Sequence, residues 1–268
     1  LKPLKELGQN FLNDSSIAAE IAALADLKHG ERIWEIGPGK GILTNEILAY
    51  DVDLTAFELD RRLEQPLKER FGNKLNLIRS DVLRVNWQEL LDQSPQNVKL
   101  VANIPYQITS PLLSRLEEHR ARFDKVVLMV QKEVAERLTA KVGTKDYGLM
   151  TIRMQLVFDI EIGLQVNRVF FDPAPNVDSA VIVMRPRQDS PRHRDPELFY
   201  RLIHHAFQHR RKTLRNNLLH MMTKLQLAAL EKQSRFDLTR RGETFSETEF
   251  IDLCDLIAAL TYSSESTK

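Results

Sequence analysis

Strand-like and helix-like spacings of apolar residues alternate along the first half of the chain. Asp14-Ser15-Ser16 supplies side-chain oxygens that can cap a helix. An apolar-rich helical stretch over 17–27 follows and is closed by Gly30. Residues 32–36 read as a short strand that runs into Gly37-Pro38-Gly39-Lys40-Gly41, with a helix to Leu48 after it. Strands are predicted over 54–59, 75–78, 98–102 and 125–130. They are interleaved with helices over 61–71 (capped by Asp60), 87–91, 110–118 and 132–140. Such alternation predicts an α/β fold with a mostly parallel sheet covered by helices on both faces.

The pattern then changes. Residues 147–156 read as a helix. Residues 158–167 and 180–185 read as two strands joined through the Pro-rich Asp172-Pro173-Ala174-Pro175-Asn176, close enough to pair antiparallel at a sheet edge. Beyond a linker at 185–196 only helical patterns remain, over 196–209, 211–220, 223–231 and 246–260. The last opens on a Ser246/Glu249 capping box. The expected division is a larger α/β domain, 1–189, and a small all-α C-terminal domain, 190–268.

Composition narrows the function classes. With 43% apolar residues the chain can bury a sizeable core, and its 38 Lys+Arg nearly balance its 37 Asp+Glu. The charge is unevenly placed. Between Arg185 and Arg215 stand nine basic residues, including Arg192, Arg194 and Arg201, against three acids, and four histidines lie among them. A local basic stripe on a neutral protein is a footprint for nucleic acid, although a solvated helix face produces the same pattern. Cys254 is the single cysteine, which excludes an internal disulfide and a cysteine-based metal site and points to a reducing, cytoplasmic setting. No apolar run approaches the ~20 residues needed to span a bilayer. The amino-terminal residues lack the apolar core of a signal peptide.

Three features describe a nucleoside crevice. The glycines Gly37 and Gly39 after the first long strand let a ligand approach the backbone. The spacing is G-P-G-x-G, and Pro38 lacks an N–H, so the turn departs from the phosphate cradle of a nicotinamide-dinucleotide site. Glu58, at the end of the next strand, can accept hydrogen bonds from both hydroxyls of a ribose. Asp81, followed by Val82 after the third strand, can accept the amino group of an adenine ring.

A fourth feature, Asn103-Ile104-Pro105-Tyr106 after the next strand, points to a reaction. An aromatic amine is a poor nucleophile because its lone pair is delocalised into the ring. Acceptors on both of its N–H bonds pull the nitrogen toward a tetrahedral geometry and aim the lone pair at an electrophile. The Asn103 side-chain carbonyl and the Ile104 backbone carbonyl can be those acceptors, Pro105 stiffens the turn, and Tyr106 can stack on the base.

The tetrad resembles the (D/N/S)-P-P-(Y/F) signature of amino-methyltransferases. Gly8-Gln9-Asn10-Phe11-Leu12, the late segment from Phe171 to Val181 and the basic segment from Phe207 to Asn216 resemble, in order and over nearly the whole chain, the small-subunit ribosomal RNA adenine N6-dimethyltransferases of the KsgA type. Asn176 stands where that family usually has Lys. The resemblance implies a Rossmann-like methyltransferase sheet, S-adenosylmethionine as cofactor, and dimethylation of adenines, two of them adjacent, in 16S ribosomal RNA. It further implies a role in assembly of the immature small subunit and action as a monomer. It implies cofactor contacts from Gln9, Asn10, Leu12, Gly37, Gly39, Glu58, Asp81, Val82 and Asn103, with Tyr106 and Phe171 sandwiching a flipped base. Arg210, Arg211, Lys212 and Arg215 would grip RNA phosphates. Two rivals share features with this reading: the large-subunit methyltransferase of the antibiotic-resistance type, and a non-catalytic assembly factor.

Overall fold

The structure is a computed structural model that describes residues 2–189 and 195–265. Arg192 and Arg194 of the basic stripe lie outside the described residues. In chain order the elements are β1 (Phe11–Leu12), α1 (Ser15–Leu24), β2 (Arg32–Ile36), α2 (Ile42–Leu48), β3 (Asp53–Glu58), α3 (Arg61–Phe71), β4 (Leu75–Arg79) and α4 (Trp87–Asp92). Next come β5 (Val98–Asn103), α5 (Thr109–Glu118), β6 (Phe123–Gln131), α6 (Lys132–Leu138), α7 (Leu149–Val157), β7 (Phe158–Val166), β8 (Phe171–Asp172) and β9 (Ser179–Pro186). The last four are α8 (Pro196–Gln208), α9 (Leu214–Leu218), α10 (Lys224–Gln233) and α11 (Glu247–Glu265).

Seven strands form one sheet in the order β4-β3-β2-β5-β6-β9-β7. The first five run parallel, and β9 enters antiparallel between β6 and β7. The expected edge hairpin is therefore present, with β7 as its outer member. Strands covered on both faces are largely apolar, and β5 shows it: Val98 to Ala102 are all buried, and of these Lys99 alone is charged. Alternation assigns neighbouring side chains to opposite faces. Ile33 packs with Ile21, Ile47 and Leu63 from the helices of one layer. Trp34 meets Phe57, Trp87 and Phe123 edge-on, at ring-centroid distances of 5.1, 5.5 and 6.0 Å. The buried Trp87 N–H is satisfied by the Val82 carbonyl at 2.8 Å.

Local capping explains the helix starts. Asp14 accepts from the Ser16 and Ile17 N–H groups, and Asp60 from that of Arg62. The first helix stops at Leu24, short of the expected Leu27; Gly30 serves a later turn and donates its N–H to the Asp51 carbonyl. The two-residue pair β1–β8 was not anticipated, because it carries no periodicity to detect.

The chain divides into two compact units, residues 1–136 with 157–186, and residues 137–156 with 187–268. The linear division at 189/190 thus misplaces 137–156. Within the second unit that stretch is tied by contacts distant in sequence. Gly143 donates to the Glu243 carbonyl, and the Tyr147 hydroxyl to Glu247 at 3.1 Å. Phe199, Leu202, Phe245 and Phe250 form the buried centre of this unit.

Candidate active site

The strand order reverses between β2 and β5, which leaves a crevice outside the carboxyl ends of the parallel strands. A cavity of about 250 Å³ lies there. Its walls include Gln9, Asn10, Leu12, Gly37, Gly39, Glu58, Asp81, Val82 and Asn103, so every residue expected to meet the cofactor comes to one place. Ile104, Pro105 and Tyr106 line it too.

The glycine turn after β2 has a steric cause. Gly39 sits at φ +57°, and a Cβ there would lie 3.0 Å from the Phe11 ring. Gly41 sits at φ +78°, where a Cβ would lie 2.6 Å from the Phe71 ring. Both positions exclude side chains; Gly39 thereby presents backbone to the cavity, while Gly41 lets the turn close against α3. Behind the turn Glu35 is fully enclosed, with one oxygen accepting from Thr44 at 2.8 Å and the other without a partner. Burial pushes its carboxyl up to about 8.

Glu58 and Asp81 are aimed by their own loops. The two oxygens of Glu58 accept the N–H groups of Gly39 (3.2 Å) and Asp60 (2.8 Å). Burial raises its pKa, and those backbone bonds act against the rise. Asp81 accepts the Leu83 N–H at 2.9 Å. Each carboxylate oxygen keeps a lone pair for a ligand. Asp60 turns away from this role. Arg62 and Gln9 hydrogen-bond its carboxylate, and the Arg62 guanidinium holds it down at about 2. Gln9 also accepts the Leu4 N–H at 2.8 Å, so one amide fastens the amino-terminal segment to the head of α3.

Asn103 ends β5. Among the described residues its carboxamide has no hydrogen-bond partner. Ile104 is buried, and Pro105 leads into a single turn, Tyr106–Ile108. The Tyr106 hydroxyl lies 2.8 Å from the Ser179 hydroxyl. Phe171 is placed elsewhere. It is 5% exposed, its backbone pairs with Leu12, and its ring belongs to the core cluster of Phe11, Leu12 and Ile17. Phe171 does not line the cavity wall that carries Tyr106. Leu59, which sequence reasoning passed over, is 52% exposed on the cavity wall. An apolar residue directly after the acid that ends a strand is a signal that could have found it, since a flat ring needs such a surface.

In the second unit the basic segment is not continuous helix. Residues 209–213 form a turn between α8 and α9, because Thr213 caps α9 by accepting the Asn216 N–H. Arg210 bonds the Tyr147 carbonyl (3.0 Å) and Glu243 (3.1 Å), and Arg215 pairs with Glu231 at 2.7 Å. Arg211 and Lys212 are exposed and, among the described residues, have no acidic partner.

The cavity fits an adenosine-bearing ligand. It offers bare backbone, two carboxylates on successive strand ends for ribose and adenine, and an unpartnered amide where the ligand's reactive end would lie. This sheet and this crevice define an S-adenosylmethionine-dependent methyltransferase. The chain belongs to the ribosomal RNA adenine dimethylase family, whose model matches residues 2–257. It is 42% identical over 246 residues to a ribosomal RNA small subunit methyltransferase A of Prosthecochloris aestuarii, covering 92% of this chain and 90% of that protein. A protein of the same name from Clostridioides difficile is 40% identical over 261 residues, with 94% and 90% covered. Among solved structures, a dimethyladenosine transferase from Plasmodium falciparum has a TM-score of 0.74 at 28% identity, covering 91% of this chain and 95% of that one. The 23S rRNA methyltransferase ErmE has a TM-score of 0.70 at 24% identity, covering 93% and 100%, a likeness of fold. No described helix is long and apolar enough to cross a membrane.

Proposed function

We propose that this protein transfers methyl groups from S-adenosylmethionine to N6 of adenines in small-subunit ribosomal RNA. Two adjacent adenines are dimethylated on the immature subunit in the cytoplasm, and the enzyme acts as a monomer. The observation that carries the reading is the free Asn103 carboxamide at the end of β5, on the wall of a nucleoside-sized cavity. The bound cofactor supplies an electrophilic methyl group. The Asn103 and Ile104 carbonyls accept the two N–H bonds of the target amine and direct its lone pair. Tyr106 offers a face for the base, which must leave its stack to reach the site. Relatives at 40–42% identity named for the small subunit favour that substrate over the large subunit.

Unmethylated small- and large-subunit RNAs and particles, incubated with the protein and cofactor, should acquire dimethyladenine in the small-subunit RNA alone, read by mass mapping. Methylation confined to the large subunit would replace this reading with the antibiotic-resistance type. Absence of methylation in both, with retained particle binding, would leave an assembly factor. Arg211 and Lys212 are exposed cations that, among the described residues, have no acidic partner and so are available for phosphate contact. Reversing both should weaken RNA binding and lower its salt slope by up to about 0.9 per lost contact. Cofactor affinity should stay unchanged, since the cavity is lined from the first unit.

A further inference from the structure

We propose that Ser179 is a positioning residue for methyl transfer, its hydroxyl holding the Tyr106 ring at the angle at which it meets the target base. The proposal rests on the reading of Tyr106 as the stacking residue and assigns a function to a side chain 73 positions away from it.

The argument begins with an incongruity in β9. Ser179 heads a strand whose next five residues, Ala180 to Met184, are apolar and buried, and Ser179 itself is 0% exposed. Packing alone would be served there by Ala or Val. A hydroxyl enclosed without a partner is costly, so its presence calls for one, and the Tyr106 phenol is 2.8 Å away.

The two ends of this bond differ in rigidity. Ser179 is paired on both sides, with Gln131 of β6 and Val166 of β7. The residue before it is pinned as well: the Asp178 carbonyl accepts the Lys132 N–H, and its carboxylate accepts the Arg168 N–H. Tyr106, by contrast, opens a three-residue turn that has no side-chain cap and follows a proline. Such a turn does little to set the tilt of a ring projecting from it. The bond at the para position supplies that constraint from the rigid sheet. The same sheet sets Asn103, because β6 lies between β5 and β9, pairing Asn103 with Met129 and Ser179 with Gln131. The acceptor of the amine and the platform for the base are thus referred to one frame, which is the condition for a near-attack geometry.

A double-mutant cycle tests this. Single-turnover transfer of labelled methyl groups to unmethylated small-subunit particles is measured for wild type, Ser179→Ala, Tyr106→Phe and the double variant. Each single change should slow transfer about tenfold, as expected for one lost hydrogen bond and a misplaced ring. The double variant should be no slower than the slower single one. Cofactor affinity by calorimetry, particle affinity by filter binding and melting temperature should stay near wild type. Ser179→Cys, which keeps the volume and donates weakly, serves if Ser179→Ala melts early.

Any of three results overturns the proposal: Ser179→Ala at the wild-type rate, losses that multiply in the double variant, or cofactor affinity falling as much as the rate. A Tyr106→Phe loss far larger than that of Ser179→Ala also overturns it, because the phenol would then act on the substrate directly. If wild type methylates large-subunit particles instead, the substrate reading fails, and the same cycle on those particles still decides the role of Ser179.

Discussion

The two ends of the parallel sheet both carry buried or half-buried charge, yet they use it in opposite ways. At the amino ends the charges are spent on the protein itself. Lys99 bonds the Asp26 carbonyl and Glu31, Arg32 reaches the carbonyls of Leu90, Leu91 and Gln96, and Arg122 bonds Asp92 together with the carbonyls of Leu91 and Ser94. These cations close the loop ends that would otherwise leave carbonyls bare. At the carboxyl ends the polar groups are held but not used up. Glu58 and Asp81 are oriented by loop N–H groups and retain lone pairs, and the Asn103 amide has no hydrogen-bond partner among the described residues. Capacity left over in an enclosed place is what a ligand consumes. The same sheet therefore has a structural end and a chemical end, distinguished by the arithmetic of donors and acceptors.

The sharpest break of this comparison is at Asn103. Asn103→Ala should slow methyl transfer by ~10²–10³, because one preorganised acceptor is lost where geometry decides the rate. RNA affinity should hardly move, since it is spread over phosphate contacts. A variant within threefold of wild type in a single-turnover assay would reduce Asn103 to a turn residue.

A step smaller, Glu58→Gln and Asp81→Asn should each weaken cofactor binding by ~1.5–3 kcal/mol, the worth of a charge-assisted hydrogen bond. Calorimetry reads this directly, and unchanged affinity in both would remove the crevice from the chemical end. The structural end should answer in the other currency. Arg122→Met strands the Ser94 carbonyl, leaves that of Leu91 only its long bond to Arg32, and should cost about 1–3 kcal/mol of stability with cofactor affinity intact. Equal losses of both would mean that the two ends are not separable.

Glu35 gives an effect of another kind, read as a dependence on pH and not as a single loss. Its carboxyl is raised from 4.5 to about 8 in the fold, so the folded state holds the proton more tightly than the unfolded one. Stability from this group is full below about 4.5 and is lost as pH rises toward about 8. Glu35→Gln, which stays neutral, should therefore gain in melting temperature relative to wild type as pH rises through that window. A constant difference across the window would show that Glu35 is ionised in the fold.

Much of this molecule is written locally. Apolar runs bounded by Asp14, Asp60 and the glycines placed the strands of the sheet to within a residue or two. The acids and Asn103 were legible because strand ends in a parallel sheet point one way, so residues at successive ends must converge. That reasoning needs only order along the chain. It fails where a role depends on a partner far away in sequence. The pairing of Phe171 with Leu12 in a two-residue ladder, where it is 5% exposed, had no local pattern to announce it. The second helix of the basic segment was expected from 211, and the Thr213 cap delays it to Leu214, leaving a turn whose Arg210 is spent on Tyr147 and Glu243.

Residues 137–156 read as a continuation of the α/β unit, while hydrogen bonds to positions 243 and 247 assign them to the other. Ser179 stands within the late segment that carries the resemblance, but nothing in the sequence joined it to Tyr106. The periodicity of side chains and the conformational limits of Gly, Pro and capping residues are properties of the chain itself, and from them the sequence alone determined the sheet, its glycine turn and the acids at its edge. Which hydroxyl meets which ring, and which cation is already paired, depends on distances between segments that share no local pattern, and the tertiary structure alone decided those.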